Sequence, residues 1–335
     1  MVPAYRQMIL EGELTPVSKL SAAFLKPRSA VHLQFAYYES SLVVQFLVER
    51  FGFKKLVSIL RELGEGAEIN QTIEKNTVPM EKFEEDFAAF AKQMARNLAP
   101  GLDWSRPREI TLKTGVVTLD TIKAATGELS SNNFWLMTWQ ASQFIKEHHW
   151  SAAKNVLEKL LDLYPEFTGP DSAYRMLATV HRMLGETNQE RQVLTRFAEL
   201  DGEACDAYLR LMELATAEKD WPMVVKNARR YLAVDPLVAP PYRFLAQAAE
   251  QTGDIETAIG AYQALLQLDP QNPAEIHFRL AQLLHRRGTP DARRHVLQAL
   301  ENAPRFRAAL KFLLELNSKT VNSAATRAAF PEATP

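Results

Sequence analysis

The sequence predicts an all-α chain, a helical subdomain followed by an α-solenoid of about five helix hairpins. Three observations carry this. Apolar residues recur mostly three and four positions apart, while alternating, strand-like runs are scarce. Gly and Pro punctuate the chain at intervals suited to helix hairpins. From about residue 134 onward the text repeats itself every 34 residues.

The first hundred residues read as about five helices. One covers roughly 4–11 and a short second covers 17–25. A third runs over about 32–51, through "FAYYESSLVVQFLVERFG", with Gly52 suited to a C-terminal cap. A fourth, "FKKLVSILRELGEG", places Leu56, Ile59, Leu60 and Leu63 on one face and stops at Gly64. In the fifth, Pro79 fits the first turn, Glu81, Glu84 and Glu85 suit the positive end of the helix dipole, and Phe83, Phe87, Phe90 and Met94 form the expected buried stripe. Tyr37, Tyr38, Leu42, Val43, Phe46 and Leu47 read as packing residues of the third helix. The organisation is then a helical module over 1–98, a linker over 99–133, a solenoid with a capping helix over 134–316, and a disordered tail over 317–335. The linker is rich in breakers (Pro100, Gly101, Pro107, Gly115), and Ile110 and Leu112 could pair with Val116, Val117 and Leu119 in a small hairpin.

In the repeat, Tyr174, Tyr208 and Tyr242 fall in one column and Leu177, Leu211 and Leu245 in another. Asp201, Asp235 and Asp269 end each second helix, with Gly202, Pro236 and Pro270 as breakers. A unit upstream, about 134–167, carries Ala141, Phe144, a turn at His148-His149-Trp150, Ala153, Leu157 and Pro165, and Thr168-Gly169-Pro170 form a short insertion after it. A last unit, about 273–304, keeps Leu280, Ala281, Leu284, Gly288, Ala292 and Pro304, with a second helix one residue short, and "RFRAALKFLLEL" follows as the cap. Small residues (Ala141, Ala178, Ala246, Ala281; Ala153, Ala258, Ala292) let paired helices approach, and the leucines fill the space between units. One unit cannot bury its own apolar face, so neighbours must stack. Met212, Glu190 and Val224 depart from the small residue expected at their positions.

This period and these residues resemble the tetratricopeptide repeat, a helix–turn–helix unit, most closely over 239–272 with Tyr242, Leu245, Ala246, Gly253-Asp254, Ala258, Tyr262 and Pro270. The resemblance implies protein or peptide binding on the face lined by the first helix of each unit. That face would carry Thr138, Ser142 and Lys146, then Arg175, Thr179 and Arg182, then Leu209 and Glu213, then Arg243, Gln247 and Glu250, and finally Phe278, Gln282 and His285. The residues expected to touch a partner are Lys146, Arg175, Arg182, Arg243, Gln247, Gln282 and His285; their cationic excess suits a peptide with acidic groups, against the plain alternative of solvated helix faces. The carboxylate clamp found in some members is not expected, because Ser142, Thr179, Glu213 and Gln247 occupy the column of its asparagines.

Residues 1–98 resemble a different family. "AYYESSLVVQFLVERFGFKKLVSILRELGEG", then "MEKFEEDF", is similar to the C-terminal helical part of peptidase MA-like gluzincins, and "YRQMILEGELTPVSKLSAAFLKP" to the stretch after their zinc site. The resemblance implies a zinc metallopeptidase fold whose H-E-x-x-H, needed to hold zinc and deprotonate a water, is absent from this text. None of the seven histidines (His32, His148, His149, His181, His277, His285, His295) forms it, and Glu11-Gly12 reads as a helix end. Glu39 is accordingly expected to stand in the back wall of a cleft rather than to bind metal. No catalytic, metal or cofactor residue is expected in this chain; zinc is expected only if an upstream half carries the motif, and the amphipathic start at Tyr5, Met8, Ile9 and Leu10 reads as mid-domain text. A helical adaptor unrelated to peptidases is the competing reading of 1–98.

Composition excludes other classes. The 335 residues are 47% hydrophobic and 24% charged with a net charge of −1, so neither nucleic acid nor an anionic membrane is an expected partner. No apolar run is long enough to span a membrane, and the N-terminus lacks the pattern of a signal peptide. The lone cysteine, Cys205, reads as a small core residue. Compartment is left open.

Overall fold

The computed structural model describes residues 1–106, 130–268 and 271–329, with side chains to residue 318. These residues form α-helices and turns and no strand, as the periodicity predicts. They fall into two compact units, residues 1–143 with 155–173, and residues 144–154 with 174–335.

The N-terminal unit starts with α1 (Pro3–Leu10), α2 (Leu20–Leu25), α3 (Ala30–Phe51), α4 (Phe53–Gly64), α5 (Ile69–Asn76) and α6 (Met80–Arg96). Ser29 caps α3 by accepting from the His32 N–H, and Gly52, at φ 86°, ends it and starts α4. The core is built on Phe35, Leu42, Phe46 and Leu47 of α3 against Ile59, Phe83 and Phe87. Phe46 meets Phe83 edge-on at 5.2 Å and Phe87 at 5.9 Å, the offset geometry aromatic rings prefer.

Several expectations are corrected here. Helix α5 has no counterpart in the sequence reading; it is short and polar, held by Glu68 accepting from the Gln71 N–H and by burial of Thr72 and Ile73. The buried stripe of α6 runs Phe83, Phe87, Ala91, Ala95, which leaves Met94 exposed; each four-residue step turns the buried face by about 40°, away from the straighter line through Phe90 and Met94. Leu60 is 59% exposed, one residue round from buried Ile59. Tyr37 is 65% exposed, set edge-on to Phe24 of α2 at 4.9 Å, while its neighbour Tyr38 stacks on Tyr5.

α7 (Phe134–Lys146) and α8 (Trp150–Leu163) form the first hairpin, and the unit boundary runs through it instead of before it. The reason is aromatic. Phe134 stacks on Trp104 at 5.1 Å and meets Phe167 edge-on at 5.7 Å, and the Trp104 indole meets Tyr164. Asn133 donates to Asp103 Oδ2 at 3.1 Å, and the Phe134 N–H donates to the Asp103 carbonyl at 3.0 Å. The two ends of the expected linker are thus tied together; the hairpin expected between them, at 110–119, lies outside the described residues.

The C-terminal unit continues with α9 (Ala173–Leu184), α10 (Thr187–Leu200), α11 (Cys205–Ala217), α12 (Trp221–Val234), α13 (Ala239–Thr252), α14 (Ile255–Leu268), α15 (Pro273–Arg287), α16 (Ala292–Asn302) and α17 (Arg307–Ala329). Consecutive helices from α10 to α17 pack on one another. Helices α10, α12 and α14 start 34 residues apart, while α8 starts 37 before α10, the difference being the Thr168-Gly169-Pro170 insertion. The alanine and leucine columns are buried: Ala141, Ala153, Ala258, Leu280 and Ala281 are fully enclosed. α16 is shorter than its counterparts by more than the one residue expected, since Thr289, Pro290 and Asp291 precede it. α17 runs past the expected end at 316 into the segment expected to be a tail. Residues 317–329 contain no Gly or Pro and four alanines, so nothing in them stops a helix; residues 330–335 lie outside the described residues.

Every hairpin turn is closed alike. His148, Gly185, Lys219, Gly253 and Gly288 all have positive φ, between 60° and 78°. In each, that residue's N–H donates three residues back and the next N–H five back, as from Gly253 to Glu250 and from Asp254 to Ala249. This is the Schellman pattern, which satisfies carbonyls the helix end would leave bare. Asp220 and Asp254 then cap the following helices, accepting from the Met223 and Thr257 N–H groups at 3.2 and 3.1 Å.

Candidate functional site

The residues expected to touch a partner have separate fates. Arg175 pairs with Asp206, and its guanidinium lies over the Phe197 ring at 4.7 Å. Arg182 Nε donates to Glu190 at 2.8 Å. Both are committed to neighbouring helices within the unit. Lys146 is exposed in the last turn of α7. His285 stands edge-on to Phe312 of α17 at 5.5 Å, and Phe278 meets Phe306 at 4.9 Å, so α17 occupies the face on which Gln282 and His285 were expected to be open.

Glu190 explains its own departure from the repeat pattern. Where a small residue was expected, its carboxylate is 1% exposed and accepts from Arg182 Nε, Arg210 Nε at 2.7 Å and Arg210 Nη2 at 3.0 Å. Burial alone would push the carboxyl pKa up, but the Arg210 and Arg182 hydrogen bonds outweigh it and hold it below the ordinary value. Arg210 also donates to Glu213 at 2.7 Å, closing a network over α9, α10 and α11.

Arg243 and Gln247 do come together. One helical turn apart on α13, both exposed, they line a surface depression of about 570 Å³ with Ala239, Pro240, Phe244, Leu268 and Gln271. Pro240 in the first turn of α13 leaves no N–H to satisfy there. Among the described residues lining the depression, Arg243 is the one charged side chain. The depression thus brings together a guanidinium, two side-chain amides and the apolar Phe244 and Leu268. Sequence reasoning placed Arg243 and Gln247 here but missed Phe244 and Leu268, which the 3.6-residue pattern assigns to packing.

Zinc would need at least three converging ligands. Among the described residues no three His, Cys, Asp or Glu side chains are placed to hold a metal ion. His277 and His295 face each other, Nδ1 to Nδ1 at 3.0 Å; His148 and His149 lie in a repeat turn. The described residues do not fit a zinc site. Cys205 sits at the start of α11, its thiol pKa pushed up by burial and by nearby carboxylates, which suits packing and not nucleophilic attack. No helix is long and apolar enough to cross a membrane among the described residues.

With this geometry in hand, residues 239–283, which include α13, α14 and most of α15, match the family model of the tetratricopeptide repeat. No curated protein matches the chain. Similar solved structures include a MamA protein (18% identity, 50% of this chain, 90% of that one, TM-score 0.41) and MamA residues 41-end from Desulfovibrio magneticus RS-1 (18%, 50%, 93%, 0.38). Another is YrrB, described as a TPR protein with an unusual peptide-binding site (13%, 51%, 87%, 0.41). The C-terminal unit is a helical-repeat array, with a tetratricopeptide repeat at 239–283.

Proposed function

We propose that the C-terminal unit is a protein-binding scaffold that holds a carboxylate-bearing peptide segment in the α13–α14 depression. The observation that carries this is the convergence of Arg243 and Gln247 with exposed parts of Phe244 and Leu268. Arg243 takes the carboxylate, Gln247 the peptide backbone, and the two apolar residues a flanking side chain. The experiment is a peptide-array screen with short acidic peptides, followed by titration of the best binder. Arg243→Glu is expected to weaken it at least about tenfold and to flatten its salt dependence. Failure of every acidic peptide to bind, or an unchanged affinity in Arg243→Glu, overturns the reading.

A second reading concerns the N-terminal unit, as the helical part of a peptidase MA-like module in a longer metallopeptidase–repeat protein whose repeats recruit substrate. It is favoured by two residues of the stretch "AYYESSLVVQFL" at 36–47 that carries the resemblance. Tyr37 and Val44 point outward, 65% and 45% exposed, where a preceding domain would cover them. Taken alone the chain is non-catalytic in this reading. An open reading frame upstream encoding H-E-x-x-H supports it; an in-frame stop beside a ribosome-binding site at Met1, or chelator-sensitive proteolysis by this chain alone, removes it.

A further inference from the structure

The N-terminal unit holds a cavity of about 390 Å³ that the peptide-binding reading does not use. It lies between the turn after α1 and the start of α3, at the low end of the range of about 300–1,000 Å³ usual for small-molecule sites. Glu39 lines it. The side chain is 0% exposed; Oε1 accepts from the Thr15 N–H at 2.6 Å, and Oε2 is buried with no hydrogen-bond partner. A buried acceptor left unmade costs stability, so this oxygen calls for a donor from outside the chain. Burial, only partly offset by the Thr15 backbone and side chain, pushes the Glu39 carboxyl pKa up to about 7.

The rest of the lining narrows the donor. Glu13 is already matched to His32, Oε2 to Nε2 at 3.1 Å. Lys19, Lys26 and Arg28 line the same cavity and are exposed, so its mouth is cationic while its buried carboxylate lacks a cation. Buried Phe35 and Ala36 supply an apolar wall. A ligand that fits carries a cation for Glu39, an anion for the rim and an apolar part for the wall. We propose that this cavity binds a free α-amino acid with an apolar side chain, its ammonium on Glu39 and its carboxylate at Lys19, Lys26 and Arg28.

The test uses the full chain at about pH 8, where Glu39 is ionised, and three probes that differ by one charged group. These are L-leucine, 3-methylbutylamine, which lacks the carboxylate, and 4-methylpentanoate, which lacks the ammonium. L-Leucine is expected to bind about tenfold or more tightly than either, the gain from one charge-assisted hydrogen bond in a desolvated site. Glu39→Gln should bring L-leucine down to the level of 4-methylpentanoate. Lys26→Glu with Arg28→Glu, both on the exposed rim, should bring it down to the level of the amine and keeps the test open if Glu39→Gln does not fold. The proposal fails if 4-methylpentanoate binds as well as L-leucine, if folded Glu39→Gln binds L-leucine unchanged, or if L-leucine at millimolar concentration gives neither heat nor amide shifts.

Discussion

Glu39 of the N-terminal unit and Glu190 of the C-terminal unit are the two buried glutamates among the described residues, 0% and 1% exposed. Their surroundings differ in one respect. Glu190 meets two guanidinium groups through three hydrogen bonds, and its pKa lies below the ordinary value. Glu39 meets only the uncharged Thr15, keeps one buried oxygen with no hydrogen-bond partner, and has a pKa of about 7. Equal burial therefore gives opposite electrostatics, and the deciding factor is whether the neighbouring helix presents a cation. Where it does, the carboxylate is part of the framework that ties α9, α10 and α11. Where it does not, the group is held at a cost, and it stands in a cavity.

The sharpest break of this comparison is a buried carboxylate given no partner at all. Ala258 is fully enclosed between α14 and its neighbours, so Ala258→Asp should cost about 3–5 kcal/mol, read as a lower urea midpoint. A melting temperature within about a degree of wild type would refute the repeat register.

Next comes the pH dependence of Glu39. Its folded pKa is raised, from 4.5 to about 7, so the folded state keeps the proton longer than the unfolded chain. The stability it contributes is complete below about pH 4.5 and falls by up to about 3 kcal/mol as pH rises through 7. Glu39→Gln should remove that fall, making the variant more stable than wild type at about pH 8 and no more stable at pH 4. Parallel stability–pH curves for the two proteins would show that Glu39 is not strained.

Glu190→Ala is expected to cost about 2 kcal/mol at neutral pH, below the ~3–5 kcal/mol of a fully enclosed pair because Arg182 and Arg210 reach water. Its pKa is lowered, so its contribution is present at neutral pH and lost as pH falls below about 4.5, the reverse of Glu39. Arg210→Met should cost more than Arg182→Met, since Arg210 makes two of the three bonds. Urea titrations at two pH values check both statements. The smallest effect is at Lys219, whose φ of 61° suits glycine. Lys219→Gly should stabilise the array by about 0.5–1 kcal/mol, and a loss of stability would mean its side chain matters more than its backbone.

Much of the array was legible because its information is periodic. Tyr174, Tyr208 and Tyr242 mark the register, and the insertion at 168–170 shows as the longer step from α8 to α10. The N-terminal unit has no such repetition. There Leu60, Tyr37 and Met94 were assigned inward and face outward, because helix periodicity locates a stripe only to within a neighbouring position. The candidate site was half legible. Arg243 and Gln247 follow from the repeat column, whereas the network that takes up Arg182 and Glu190 also includes Arg210, a partner on the next helix that no local pattern announces. Glu39 was visible as an acid on an apolar helix, but its bare oxygen depends on what the turn at Thr15 offers.

The five left-handed turns bear on how the chain acquires its structure. Each is closed by backbone bonds spanning three to five residues. A hairpin can therefore bend at its own turn before its neighbours exist, and the contacts that follow join adjacent helices. Folding of such an array has no obligatory first element and little loop entropy to overcome, so it can begin at any hairpin and spread outward, including on a chain still being synthesised.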